Sequence, residues 1–133
     1  MKYIALVAVL AANMASGQQV LTGKEFDDLS RGTTMYFTEN GRFFGAEQFL
    51  SGRRTVWRAA DGTCVNGTWT ETNGDICFFY DNGDGPHCWT IADTGEGLTV
   101  TSTKNTAGYP PLTLELSGQD TTPILCTGPL FGV

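Results

Sequence analysis

Cationic side chains are scarce in this sequence: Lys and Arg number 8 against 14 Asp and Glu, beside a single histidine. That balance argues against general binding to nucleic acid or to an anionic membrane, which needs clustered positive charge. The lone His87 stands in no recognisable motif. It reads as a strand-end residue rather than a catalytic base, which needs a nucleophile or carboxylate partner. Gly-x-Ser-x-Gly, a phosphate loop and His-Glu-x-x-His are all missing, so the common hydrolase and nucleotide signatures do not apply. Long apolar runs are missing too. Tyr3 to Ala12 is ten residues without charge, Gly or Pro, half of the roughly 20 that a membrane-spanning helix requires.

That short run has a different context. Met1-Lys2 gives it a positive start, and Asn13-Met14-Ala15-Ser16-Gly17 ends it with Ala15 and Gly17 spaced as signal peptidase requires. The pattern predicts a signal peptide over residues 1–17, cut before Gln18, and a periplasmic or secreted destination. The residue directly after the cut is Gln18 and not cysteine, which argues against a lipid-anchored form. Residues 18–133 then make a single domain in which seven basic residues face fourteen acidic ones, Lys2 having left with the signal. A chain of that length can bury a core of its own.

All four cysteines, Cys64, Cys77, Cys88 and Cys126, lie after the cut. An even number in an exported chain points to two disulfides. A structural zinc site would place its ligands in close pairs, and no Cys-x-x-Cys occurs.

One short helix is expected early. Thr22 can cap it with Glu25 as reciprocal partner, Phe26 and Leu29 form a narrow apolar stripe, and Gly32 ends it. Such a helix serves as a lid or plug beside a sheet. After it, short runs rich in Thr, Val, Phe, Tyr and Trp alternate with Gly, Asn and Asp. Eight strands are expected: Thr33–Thr38, Arg42–Phe49, Arg54–Arg58, Cys64–Thr70, Ile76–Tyr80, His87–Ala92, Leu98–Ser102 and Leu112–Leu116. The links are short and carry the residues that tight hairpins need. Sequential antiparallel pairing follows. The fold class is all-β, an up-and-down, lipocalin-like small barrel of about eight strands with one N-terminal helix. Closure removes the edges that an open meander would expose. The tail from Ser117 to Val133 is expected to be irregular.

Period-2 alternation assigns faces. Val65, Gly67 and Trp69 share one face of their strand; Ile76, Phe78 and Tyr80 share one; Trp89 and Ile91 share one. A four-residue turn over Asp81 to Asp84 places Ile76 opposite Trp89 and Cys77 opposite Cys88. A non-hydrogen-bonded pair brings Cα atoms to about 4.5 Å, close enough to bridge. The expected disulfides are Cys77–Cys88, stapling a hairpin, and Cys64–Cys126, fastening the tail.

Three further groups invite a chemical reading. Asp81-Asn82-Gly83-Asp84-Gly85 looks like part of a calcium loop, but position twelve is Ala92 and not the required Glu. A hairpin turn is the simpler account, so no metal and no other cofactor are expected. Arg42, Arg53, Arg54 and Arg58 precede an acidic stretch, Glu71 to Glu96, that has no Lys or Arg. Cross-strand ion pairing accounts for this; an anion site at Arg53-Arg54 is the sharper alternative. Trp57, Trp69 and Trp89 lie on three strands. They either fill the core or, with Arg54 at a strand entrance, line an apolar ligand pocket.

The segments Gly62-Thr63-Cys64-Val65-Asn66-Gly67-Thr68-Trp69, Ile76-Cys77-Phe78-Phe79-Tyr80 and Cys88-Trp89 resemble a family of small exported proteobacterial proteins of no assigned function. Gly45-Ala46-Glu47 and Arg53-Arg54-Thr55-Val56-Trp57 fit the same resemblance, which spans roughly residues 22 to 102. It implies export and supplies no catalytic or binding residue. Gly67-Thr68-Trp69 is also similar to the Gly-x-Trp that opens the first strand of lipocalins, but here it falls mid-chain.

The functional expectation is a non-enzymatic exported barrel, a monomer, that binds a small apolar or amphipathic molecule. The alternative is a protein-binding module, such as an inhibitor of an exported hydrolase, whose loops carry the function.

Overall fold

A computed structural model describes residues 18–103 and 111–126. The signal-peptide expectation at residues 1–17 and the last part of the tail, 127–133, lie outside them. The elements run β1 (Gln19–Val20), α1 (Gly23–Ser30), β2 (Thr34–Glu39), β3 (Arg42–Phe49), β4 (Arg54–Ala59), β5 (Cys64–Thr72), β6 (Asp75–Tyr80), β7 (His87–Asp93), β8 (Leu98–Ser102) and β9 (Thr113–Asp120). From β2 to β9 each strand pairs antiparallel with the next, and β9 returns to pair with β2. The result is the expected closed, eight-stranded, up-and-down barrel.

One strand escaped the sequence reading. β1 has only two residues, too few for any periodic signal. It sits beside β7, pairing Val20 with Ala92 and Gln19 with Asp93. β6 reaches only as far as Asp75, so β1 occupies the place where β7 would otherwise present unpaired backbone groups.

The chain then turns into α1. The Thr22 hydroxyl accepts from the Glu25 N–H at 3.1 Å, and the Glu25 carboxylate accepts from the Thr22 N–H at 3.1 Å. This is the expected capping box. The helix plugs one end of the barrel. Phe26, 1% exposed, meets the rings of Phe49 and Trp69 edge-on, each at 5.2 Å between centroids. The Gly23 N–H donates to Glu71 on the β5 rim. The expected apolar stripe is half right. Leu29 is 42% exposed, and Gly23 and Ser30 are buried in its stead. At the barrel rim a helix this short presents little more than one large side chain inward. Phe26→Ala should cost about 3–5 kcal/mol of stability, whereas Leu29→Ala should stay within about 0.5 kcal/mol. Urea unfolding of the two variants checks both.

Alternation places Met35, Phe37, Phe49, Trp69, Ile76, Phe78, Ile91, Val100 and Leu114 in one buried interior cluster. Two bulges modify the alternation. In β3, Phe44 is the extra residue between the pairs Phe37–Gly45 and Thr38–Phe43. In β9, Ser117 is the extra residue, and its hydroxyl donates to the Tyr36 carbonyl at 3.1 Å.

Both disulfides form as expected, Cys77–Cys88 and Cys64–Cys126. Ile76 lies opposite Trp89 and Cys77 opposite Cys88, the register that the four-residue turn implies. The tail is less irregular than expected, because β9 continues through Gln119 and Asp120. β2 needs partners for Thr34 to Tyr36, and these residues supply them. Beyond Asp120 the chain crosses the outside of the barrel. The Thr122 carbonyl accepts from Thr34 on β2 at 2.7 Å, and the Ile124 N–H donates to Gln48 on β3 at 3.0 Å. The Leu125 carbonyl accepts from Arg58 on β4 at 2.8 Å, and Cys126 is bonded to Cys64 on β5.

Candidate ligand-binding cavity

The barrel is hollow. A cavity of about 420 Å³ runs from Phe26 at the plugged end to Asp84, Pro86 and His87 at the other. That lies within the range of roughly 300–1,000 Å³ typical of small-molecule sites. Its walls are mainly aromatic. Phe44 and Trp57 lie 5.8 Å apart, and Phe78 and Tyr80 stack at 6.4 Å. Two glycines make room for the larger rings. A side chain at Gly45 would collide with the Trp57 indole, so its absence lets Trp57 lie across β3. A Cβ at Gly67 would stand 2.7 Å from Tyr80 Cδ1, so this glycine lets Tyr80 lie across β5. Phe44 reaches the interior because the bulge frees it from strict alternation.

A buried carboxyl group sits in the aromatic wall. Glu47 on β3, 3% exposed, lies directly opposite Trp57 on β4. The Tyr80 hydroxyl donates to its carboxyl group, with 3.2 and 3.3 Å to the two oxygens. Burial pushes the Glu47 carboxyl up to about 8, and the Tyr80 and Thr55 hydroxyls pull it only part of the way back. Thr55 Oγ1 is itself buried and completes no hydrogen bond of good geometry. Burial and the neighbouring Glu47 raise the Tyr80 phenol well above its ordinary value. At neutral pH Glu47 is therefore mostly a neutral acid. At the open end, His87 Nε2 lies 3.0 Å from Asp84 Oδ2, and the His87 ring is 6.1 Å from that of Tyr80.

The four residues singled out from the sequence divide evenly. Trp57 and Trp89 line the cavity. Trp69 does not: Phe26 packs against its ring, and the Arg53 guanidinium lies over it at 4.3 Å. Arg54 is exposed and bonds the Ser51 carbonyl at 3.1 Å and the Ser51 hydroxyl at 3.3 Å, away from the interior. The arginine pair thus builds no anion site facing the cavity. Cross-strand ion pairing is not found either. Among the described residues the ion pairs lie within α1 and its C-terminal turn, and a polar contact joins Asp84 to His87. Arg54 and Arg58 find backbone carbonyls instead. Asp81 to Gly85 forms the β6–β7 turn, with the Tyr80 N–H donating to the Asp84 carbonyl at 3.1 Å.

Glu47 is the site residue that the sequence reading passed over. The signal was available: Glu47 shares the face of Phe49, two residues away on the same strand.

Fold and interior together define a class: a small closed antiparallel barrel, stapled by two disulfides, with a hollow aromatic interior in which the carboxyl group of Glu47 is buried. No protein-family model matches the chain, and no curated protein or solved structure matches it. Among the described residues no helix is long and apolar enough to cross a membrane.

Proposed function

We propose that this protein is an exported, non-enzymatic barrel that holds a small molecule with an aromatic or apolar body in its interior. The cavity of about 420 Å³ carries this reading, because a barrel this size can be filled by its own side chains and this one is not. Export rests on the signal-like N-terminus and is supported by the two disulfides, which persist in oxidising compartments. A protein-binding module working through its loops has no use for a hollow interior.

Titration with the neutral probe N-phenyl-1-naphthylamine provides the test. Tryptophan emission should be quenched saturably, because Trp57 and Trp89 line the cavity. Trp57→Phe and Trp89→Phe should each reduce the quenching, while Trp69, already covered by Phe26 and Arg53, contributes little. Quenching that rises linearly without saturation would rule out an interior site.

A further inference from the structure

The interior places a carboxyl group where a plain apolar pocket would have none. Glu47 is enclosed, and its hydrogen-bonding capacity is poorly used. An ionised carboxylate offers about four acceptor positions, and among the described residues the Tyr80 hydroxyl alone donates to it with good geometry. Among the described residues no Lys or Arg lines the cavity, so these residues provide no internal cation for it. A carboxyl group in that position is costly unless something pairs with it.

The surroundings fit a cation. Trp57 lies across from Glu47, Phe44 packs against Trp57, and Phe78 stacks behind Tyr80. Aromatic faces attract organic cations, more strongly once these are desolvated. At the mouth stands a second carboxylate, Asp84. The whole chain carries a formal charge of −6, which attracts cations and repels anionic ligands.

We infer that the interior binds an organic ammonium ion, a primary amine on an aromatic or branched alkyl body, with its charged nitrogen on Glu47 and its body against Trp57, Phe44 and Phe78. This inference rests on the small-molecule reading above and names the ligand class.

Binding has a proton signature. Glu47 is mostly protonated at pH 7, since burial raises it to about 8. Docking an ammonium ion converts the acid to carboxylate and releases nearly one proton to the buffer, while the amine keeps its own. Among the described residues the titratable groups facing the cavity besides Glu47 are Tyr80 on β6, Asp84 in the β6–β7 turn and His87 on β7; β4 contributes Trp57 to the lining and Thr55 beside Glu47, neither of which titrates.

The experiment is isothermal titration calorimetry of the oxidised protein with 2-phenylethylamine and its uncharged counterpart 2-phenylethanol, between pH 6 and 9 and in buffers of different ionisation enthalpy. At pH 8.5 the amine should bind at least about 30-fold tighter than the alcohol. Its affinity should rise about tenfold per pH unit up to pH 8 and then level off. Nearly one proton should be released per amine at pH 7. Glu47→Gln should abolish the preference, the pH dependence and the proton release, yet still bind the alcohol. If amine and alcohol bind alike to the unaltered protein, the ammonium inference fails and the pocket reading survives. If neither binds and N-phenyl-1-naphthylamine also fails to saturate, both fall.

Discussion

Raising the pH from 4.5 to 8 should cost the empty protein about 4 kcal/mol of folding stability through Glu47 alone. The unfolded chain ionises this carboxyl near its ordinary value of 4.5, whereas the folded barrel holds the proton up to about 8. Between those values the folded state binds one more proton than the unfolded state. Stability from this group is complete below pH 4.5, falls by about 1.4 kcal/mol per unit above it, and stops falling once the folded form has also ionised. A loss of that size is a large part of the roughly 5–15 kcal/mol that a domain of this kind possesses. The lowered carboxylates Asp28 and Asp61 act in the opposite sense and at lower pH, so they do not overlap this window. The check is a series of urea unfolding curves from pH 4.5 to 9 for the unaltered protein and for Glu47→Gln. The variant should lack the decline and be several kcal/mol more stable at pH 8. A difference between the two proteins that stays constant with pH would show that Glu47 keeps an ordinary proton affinity. A cation that pairs with Glu47 should restore stability at pH 8 by RT ln(1 + L/Kd), where L is its free concentration, rising with the logarithm of that concentration once the site is filled.

The second large effect lies on the outer surface. Removing the Cys64–Cys126 bond with Cys64→Ser and Cys126→Ser together should cost about 4 kcal/mol by loop-closure entropy, because the bond joins residues 62 apart in sequence. For a domain of this size that corresponds to a fall of roughly 15 °C or more in Tm. Cys77–Cys88 closes a loop of only 11 residues' separation, and removing it should cost about 3 kcal/mol. The Cys64–Cys126 pair also holds down the last part of the tail, which otherwise depends on a few single hydrogen bonds to Thr34, Gln48 and Arg58. Calorimetric melting of both double variants should therefore rank them, with the tail variant lower. Limited proteolysis of that variant should cut first between Asp120 and Cys126. If the two melt alike, the span of the bond is not what matters.

The hairpin that contains Cys77–Cys88 shows what was legible in the residues. A short turn of Gly, Asn and Asp set the pairing, and period-2 alternation then decided which side chains meet. The same two rules located all eight barrel strands, while the capping box of α1 was legible in the spacing of Thr22 and Glu25. They also assigned Trp69 and Trp89 to the inner surface. They did not tell these two residues apart, because parity reports in or out, not what lies on the other side of a ring. Phe26 comes from a helix that follows no strand periodicity, and it is Phe26 that covers Trp69. Phe44 was illegible for a related reason: a bulge resets parity partway along β3. Leu29 misled because apolar spacing on a two-turn helix does not say how much of it the barrel rim can cover. The arginines misled because long side chains reach carbonyls in the tail or in their own turn as readily as a carboxylate on a neighbouring strand.

The sequence by itself determined the class of fold, the sequential pairing of the eight barrel strands and the Cys77–Cys88 bond, since each follows from turn chemistry and alternation acting over a few residues; Cys64–Cys126 was then the pair that remained. Only the tertiary structure decided that the interior is hollow and that Glu47 lies inside it opposite Trp57 and under Tyr80. Those facts depend on how much volume the side chains from all eight strands and the helix plug fill together, and that sum has no local expression in the chain.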